Sequence, residues 1–211
     1  MKPVFRSAAA LGLVAVIGTT LLTTVDYLTA DRIAAQERRV ILEQLGQIIP
    51  AQYDNDLLND RLVIHDETSF PNGQEVTAYR ARLQGQPLAV VLKFMAVNGY
   101  NGNITLLAGI NRDGSLRGVR VVTHKETPGL GDGIEAGKSN WILGFEDKSL
   151  RAPTPENWAV ERDGGEFDQF TGATITPRAI VKAVRMALEY FERNKDYLFD
   201  SPAQPGQGAV P

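Results

Sequence analysis

Between Asp168 and Pro177 the chain reads Asp-Gln-Phe-Thr-Gly-Ala-Thr-Ile-Thr-Pro, so three threonines and a glycine crowd the approach to a helix. A helix start presents unpaired N–H groups and positive partial charge, a combination that favours a phosphate. Threonine adds hydroxyls that can donate to that phosphate or be esterified by it. Capping of the helix is the plainer alternative, because threonine is a common N-cap residue. Composition alone favours that alternative. A second segment, Gly129-Leu130-Gly131-Asp132-Gly133, invites comparison with a dinucleotide fingerprint. The spacing of its third glycine is wrong, and His124–Pro128 ahead of it reads as a loop rather than a strand. A glycine-rich turn is the simpler reading.

Composition removes several other chemistries. The 211 residues contain no cysteine, which excludes disulfides, thiol nucleophiles and thiolate-held iron–sulfur clusters. His65 and His124 stand well apart, a poor basis for a histidine-rich zinc or copper site. Asp132, Asp147, Asp163 and Asp168 lack the spacing of a calcium loop, and no GxSxG element is present. With 22 Lys+Arg against 25 Asp+Glu the formal net charge is −3, which argues against a nucleic-acid partner. Redox chemistry here would require an organic cofactor.

Positioning those segments takes a membrane-proximal helix and a folded domain. Lys2 and Arg6 precede Ser7–Val25, a run of 19 residues without a charge. As a helix that run is roughly 28 Å long, close to the hydrocarbon thickness of a bilayer. The basic flank predicts a cytoplasmic N-terminus, and Tyr27 sits at an interfacial position. A cleaved signal peptide is the competing reading, but the run is long for one and no A-x-A site follows. Ala8 and Gly12 form a small-xxx-small pair that could face a partner helix or merely lipid. Residues 1–29 therefore form the anchor and 30–50 an amphipathic juxtamembrane helix stopped by Pro50. Residues 51–199 form the domain, and 200–211, rich in proline and glycine, a disordered tail.

Strand periodicity predicts Leu62–Ile64, Thr77–Leu83, Leu88–Val97, Ile104–Ile110 and Leu116–Val122, with Trp158–Val160 as a further short strand. Gln84–Pro87 and Asn111–Gly114 supply hairpin turns. Ile180, Val184, Leu188 and Phe191 mark a closing amphipathic helix, with Thr176 as N-cap and Pro177 at its first position. The fold class is α+β: a transmembrane helix followed by an antiparallel sheet with flanking helices.

Three segments carry a family resemblance. Asp168-x-x-Thr171-Gly172-Ala173-Thr174 resembles the flavinylation motif of a known FMN-binding domain. That domain is shared by the G subunit of the Rnf (Rsx) electron-transport complex and the C subunit of the sodium-pumping NADH:quinone reductase. His124–Gly131 and Asn98–Gly102 resemble two further segments of the domain, and the anchor and chain length are similar to the Rnf protein. The resemblance implies FMN joined covalently, through a phosphoester, to Thr174 and installed by a separate flavin transferase. It implies that Asp168, Thr171, Gly172 and Ala173 form the recognition sequence and phosphate surroundings, with Thr176 as the second-choice acceptor. The loop containing Glu126, Thr127, Gly129, Leu130 and Gly131 would lie against the isoalloxazine, Leu130 giving apolar contact. Lys125 and Lys138 are candidates for stabilising the reduced ring. His65 reads as strand surface, His124 as a packed or capped residue, and Trp141 and Phe145 as core; Tyr100 is left undecided.

By the same resemblance the chain relays electrons within a complex of the bacterial inner membrane that couples ferredoxin–NAD oxidoreduction to ion movement. Its domain would be periplasmic, and its partners other membrane proteins of the complex and lipid. Whether it counts as an enzyme is left open, since a relay has no soluble substrate of its own. A membrane-anchored non-redox binding or scaffold module, and a flavoenzyme with its own substrate, are the alternatives.

Overall fold

The computed structural model describes residues 2–49 and 52–204. Met1, Pro50, Ala51 and residues 205–211, the greater part of the expected tail, lie outside the described residues, as does the side chain of Ala8. The chain divides into two compact units, Met1–Glu43 and Gln44–Pro211.

The first unit consists of helix α1, Lys2–Gly46, which continues past the unit boundary. It is one helix where composition suggests two, and the covalent reason is plain: residues 19–45 contain neither proline nor glycine. At 1.5 Å per residue its 45 residues extend about 68 Å. Within it Leu11–Thr29 is long and apolar enough to cross a membrane. Thr19, Thr20, Thr23 and Thr24 interrupt that stretch without stranding a hydroxyl, since each donates to the carbonyl four residues earlier, at 2.7–2.8 Å.

In the second unit five strands, β1 (Arg61–Ile64), β2 (Val76–Leu83), β3 (Gln86–Gly99), β4 (Gly102–Asn111) and β5 (Leu116–Thr123), pair antiparallel in chain order. Two turns set the register. Gln84 and Gly85 both take positive φ, 52° and 75°, giving the two-residue loop that matches strand twist. Asn111 N–H donates to Ser115 O at 2.8 Å across the second hairpin. The helix α2, Ile175–Asp200, covers one face of the sheet. Its apolar stripe meets the row Ala78, Leu92, Ala108, Val119, whose members are cross-strand partners. The opposite row, containing Tyr79, Val91 and Gly109, is also buried. There Ile48 lies so close to Gly109 that any side chain on that strand position would collide with it.

Trp158–Val160 is not a strand. A single bridge forms, Val160 to Phe167, because Trp158 and Phe167 turn inward and stack with Phe145 (ring centroids 4.7–6.3 Å apart). Side-chain burial of three aromatics outweighs a short backbone ladder at this point. Residues 124–174, which join β5 to α2, are otherwise loop with four short 3-10 turns.

Candidate functional site

Three chain segments meet at the start of α2. The β3–β4 turn brings Tyr100 and Asn101, the loop after β5 brings Glu126–Gly131, and the Phe170–Ala173 turn brings Gly172–Thr176. Together they line a cavity of about 300 Å³, at the small end of the range typical of ligand pockets. Glu126, Thr127, Leu130, Gly131, Gly172, Ala173, Thr174 and Thr176 all reach it. Asp168, Thr171 and Gly129 do not. The carbonyl of Asp168 accepts the Trp141 indole N–H at 2.7 Å, beside a neighbouring cavity bordered by Trp141 and Phe170. Thr171 is exposed in the turn, and the Gly129 N–H is held by Asp132 Oδ1 at 2.7 Å.

The helix begins one residue pair earlier than its sequence suggests. Thr174, not Thr176, is the N-cap residue, and its hydroxyl makes no capping bond. Thr176 instead lies inside the first turn, fully buried, and its hydroxyl donates to Glu126 Oε2. That buried bond decides the boundary, because a hydroxyl committed to a carboxylate cannot fold back onto its own helix. Pro177 is then the third helical residue, still within the turn whose N–H groups have no intrahelical acceptor. Two threonine hydroxyls so close in sequence thus have opposite fates: one is consumed and the other, among the described residues, is free.

Glu126 organises the wall. It is 5% exposed, and besides Thr176 it accepts the Asn101 N–H at Oε1 (3.0 Å). It has no ion-pair partner among the described residues. Gly131 is required beside it, since a Cβ there would come within 2.8 Å of Glu126 Oε2 and 3.1 Å of Thr176 Oγ1. Asn101 also donates its amide to Thr127 Oγ1 at 3.1 Å, fastening the β3–β4 turn to the loop. Asn101 and Ile175 are supporting residues that composition alone does not single out; the signal for Asn101 is its place in the Asn98–Gly102 segment.

Behind the wall runs a chain of polar contacts. The Glu126 N–H donates to His124 Nδ1 (3.0 Å), which leaves the ring proton on Nε2 to donate to Glu135 Oε1 (2.9 Å). Lys138 Nζ bridges Glu135 Oε1 (2.7 Å) and Asp132 Oδ2 (2.8 Å). The lysine hydrogen bonds hold both carboxyls below their usual range, and the carboxylates in turn raise Lys138. Lys138 is therefore spent on this bridge, and neither it nor the exposed Lys125 lines the cavity. Phe145 is core, Trp141 packs edge-on against it at 5.4 Å, and Tyr100 is a largely exposed part of the cavity rim.

A sequence model described as the FMN-binding domain matches residues 99–189, which contain the whole cavity, and one described as the RnfG N-terminal region matches residues 1–48. A Shewanella loihica protein, named as the G subunit of an ion-translocating oxidoreductase complex, is 42% identical over 203 residues, 96% of each chain. The chain belongs to the RnfG family. The namesake from Pseudomonas aeruginosa is 47% identical over 201 residues, covering 93% of this chain and 92% of that one. Among solved structures, Shewanella oneidensis NqrC is similar at 21% identity and a TM-score of 0.49, over 71% of this chain and 73% of that one. The matched FMN-binding domain, residues 99–189, includes all three of these loops and the start of α2.

Proposed function

We propose that this chain is the electron-carrying RnfG component of an ion-translocating oxidoreductase complex, with FMN held by a phosphoester on Thr174. The observation that carries the reading is the free hydroxyl of Thr174, set at a helix N-terminus and lining the cavity while its neighbour Thr176 is buried against Glu126. The residues fit the group. First-turn N–H groups of α2 offer donors to a phosphate, and Gly172 (φ 80°) lets the chain bend around it. Leu130, 52% exposed, and Tyr100, 66% exposed, give the rim an apolar surface suited to an aromatic ring.

FMN bound there supplies one- or two-electron redox chemistry. The chain's own residues orient it: Glu126 and Gly131 shape the wall, Asn101 holds two loops together, and Thr174 provides the attachment. A covalent tether removes the roughly 4–15 kcal/mol of translational and rotational freedom that each rebinding would otherwise lose. Such a link suits a compartment without a free flavin supply. The reading accordingly puts the domain on the periplasmic side of the inner membrane, anchored by Leu11–Thr29, with residues 30–50 as its juxtamembrane segment. Other membrane proteins of the complex would supply the ion path and the ferredoxin–NAD chemistry, and a flavin transferase the maturation.

Mass mapping of the Asp168–Arg178 peptide from protein matured in its native host tests the attachment and its position together. The expected result is an added FMN on Thr174; a bare peptide overturns the reading. A phosphatase fused to the C-terminus reports the topology, and it should be active in the periplasm.

A further inference from the structure

A second cavity adjoins the first. The α2 residues Ile175, Ala179, Lys182, Ala183 and Met186 follow each other at helical spacing and floor a groove of about 320 Å³. Phe94, Met95 and Val97 of β3 and the Phe70–Gln74 turn close its other side. The walls are firm: Phe70 and Phe94 are each 2% exposed, Phe70 packs on Tyr190 with ring centroids 5.1 Å apart, and Gln74 Oε1 accepts Met95 N–H at 2.7 Å. Ile175, 46% exposed, lines both cavities and immediately follows Thr174.

We infer that this groove is a second seat for the tethered isoalloxazine, so that one attachment at Thr174 serves two ring positions. The inference rests on the proposed attachment. Three observations select the flavin over other occupants. The tether starts next to the wall shared by the two cavities, which gives the ring a local concentration of order millimolar that a free ligand would have to match. The lining suits a long, flat ring: phenyl rings and the Met186 side chain along its length, and the Asn72 and Asn98 amides for the imide edge. The charges are complementary to a reducible ring. Lys182 is exposed, lines the groove and makes no ion pair among the described residues, whereas the first cavity presents the buried carboxylate of Glu126. A cation beside the ring favours its uptake of electrons and a carboxylate opposes it. The two seats are oppositely biased.

The test uses full-length, flavin-loaded protein. Loading is first read as in-gel fluorescence after denaturation; absence of flavin on the parent chain defeats the proposed attachment and this inference with it. On loaded protein, Ala179→Phe fills the groove and should abolish one of two flavin fluorescence lifetimes. Lys182→Gln, a surface change that leaves the fold intact, should shift the oxidised-to-reduced ratio at a fixed potential about ten-fold toward oxidised, about 30 mV for a two-electron couple. If loaded Lys182→Gln keeps the parental midpoint and its lifetimes, the second seat does not exist, whatever the fate of Ala179→Phe.

Discussion

The two ends of α2 are built on opposite plans. At the C-terminal end the last carbonyls are gripped: Arg80 Nη1 donates to Ser201 O at 2.5 Å, and Arg82 Nη2 to Phe199 O at 2.6 Å. Both guanidinium groups share the carboxylate of Asp60, and Arg80 is 1% exposed. Guanidinium groups at a helix C-terminus also complement its dipole. At the N-terminal end the hydroxyl that could have capped the helix faces a cavity instead. The C-terminal end is held through its carbonyls and the first turn through the buried Thr176–Glu126 bond, so the Thr174 hydroxyl is not needed to hold the helix in place. A division of this kind lets a site be open without the helix being loose.

Substitutions can break or sharpen this contrast. The largest effect is expected for Thr174→Ala, which should abolish covalent flavin, read as loss of in-gel fluorescence. Its melting temperature should stay close to the parent's, because the hydroxyl makes no capping bond. A loss of the ~1 kcal/mol typical of a broken N-cap would show that the hydroxyl caps the helix after all. Next, Arg80→Ala leaves Asp60 and the Ser201 carbonyl short of a buried partner and should cost about 3 kcal/mol in urea unfolding. Flavin attachment should survive below the transition. If attachment is lost with the fold intact, the two ends are coupled and the division fails.

Thr176→Val should cost about 1–3 kcal/mol by stranding a buried carboxylate oxygen. It should leave Thr174 as the attachment site in peptide mapping. The smallest effect concerns pH. Asp132 and Glu135 titrate below their usual range because Lys138 holds their charged forms, so their contribution is complete above the ordinary carboxylate pKa and fades as pH falls through the lowered folded values. The melting-temperature difference between parent and Asp132→Asn should therefore be present at neutral pH and shrink in strong acid. A difference that persists there would mean that Asp132 acts through packing rather than charge.

Local sequence rules accounted for most of the scaffold. Alternation along Thr77–Leu83 and the turn residues Gln84-Gly85 and Asn111–Gly114 each depend on near neighbours, and strands formed where the pattern placed them. Those rules failed where a distant partner overrode a local preference. Thr176 beside Pro177 has the form of a cap, yet Glu126, fifty residues away, takes its hydroxyl. Trp158–Val160 has strand composition, yet Phe145 and Phe167 draw its tryptophan into an aromatic cluster.

By itself the sequence determined the apolar N-terminal run, the antiparallel character of the sheet and the amphipathic closing helix, because each follows from periodicity, length or side-chain chemistry within a short window. Only the tertiary structure decided which threonine hydroxyl is free, why Lys138 is unavailable to the cavity, and that Ile175 borders two cavities. Those outcomes depend on which buried partners compete for the same atom, and that competition exists only once loops far apart in the chain have been brought together.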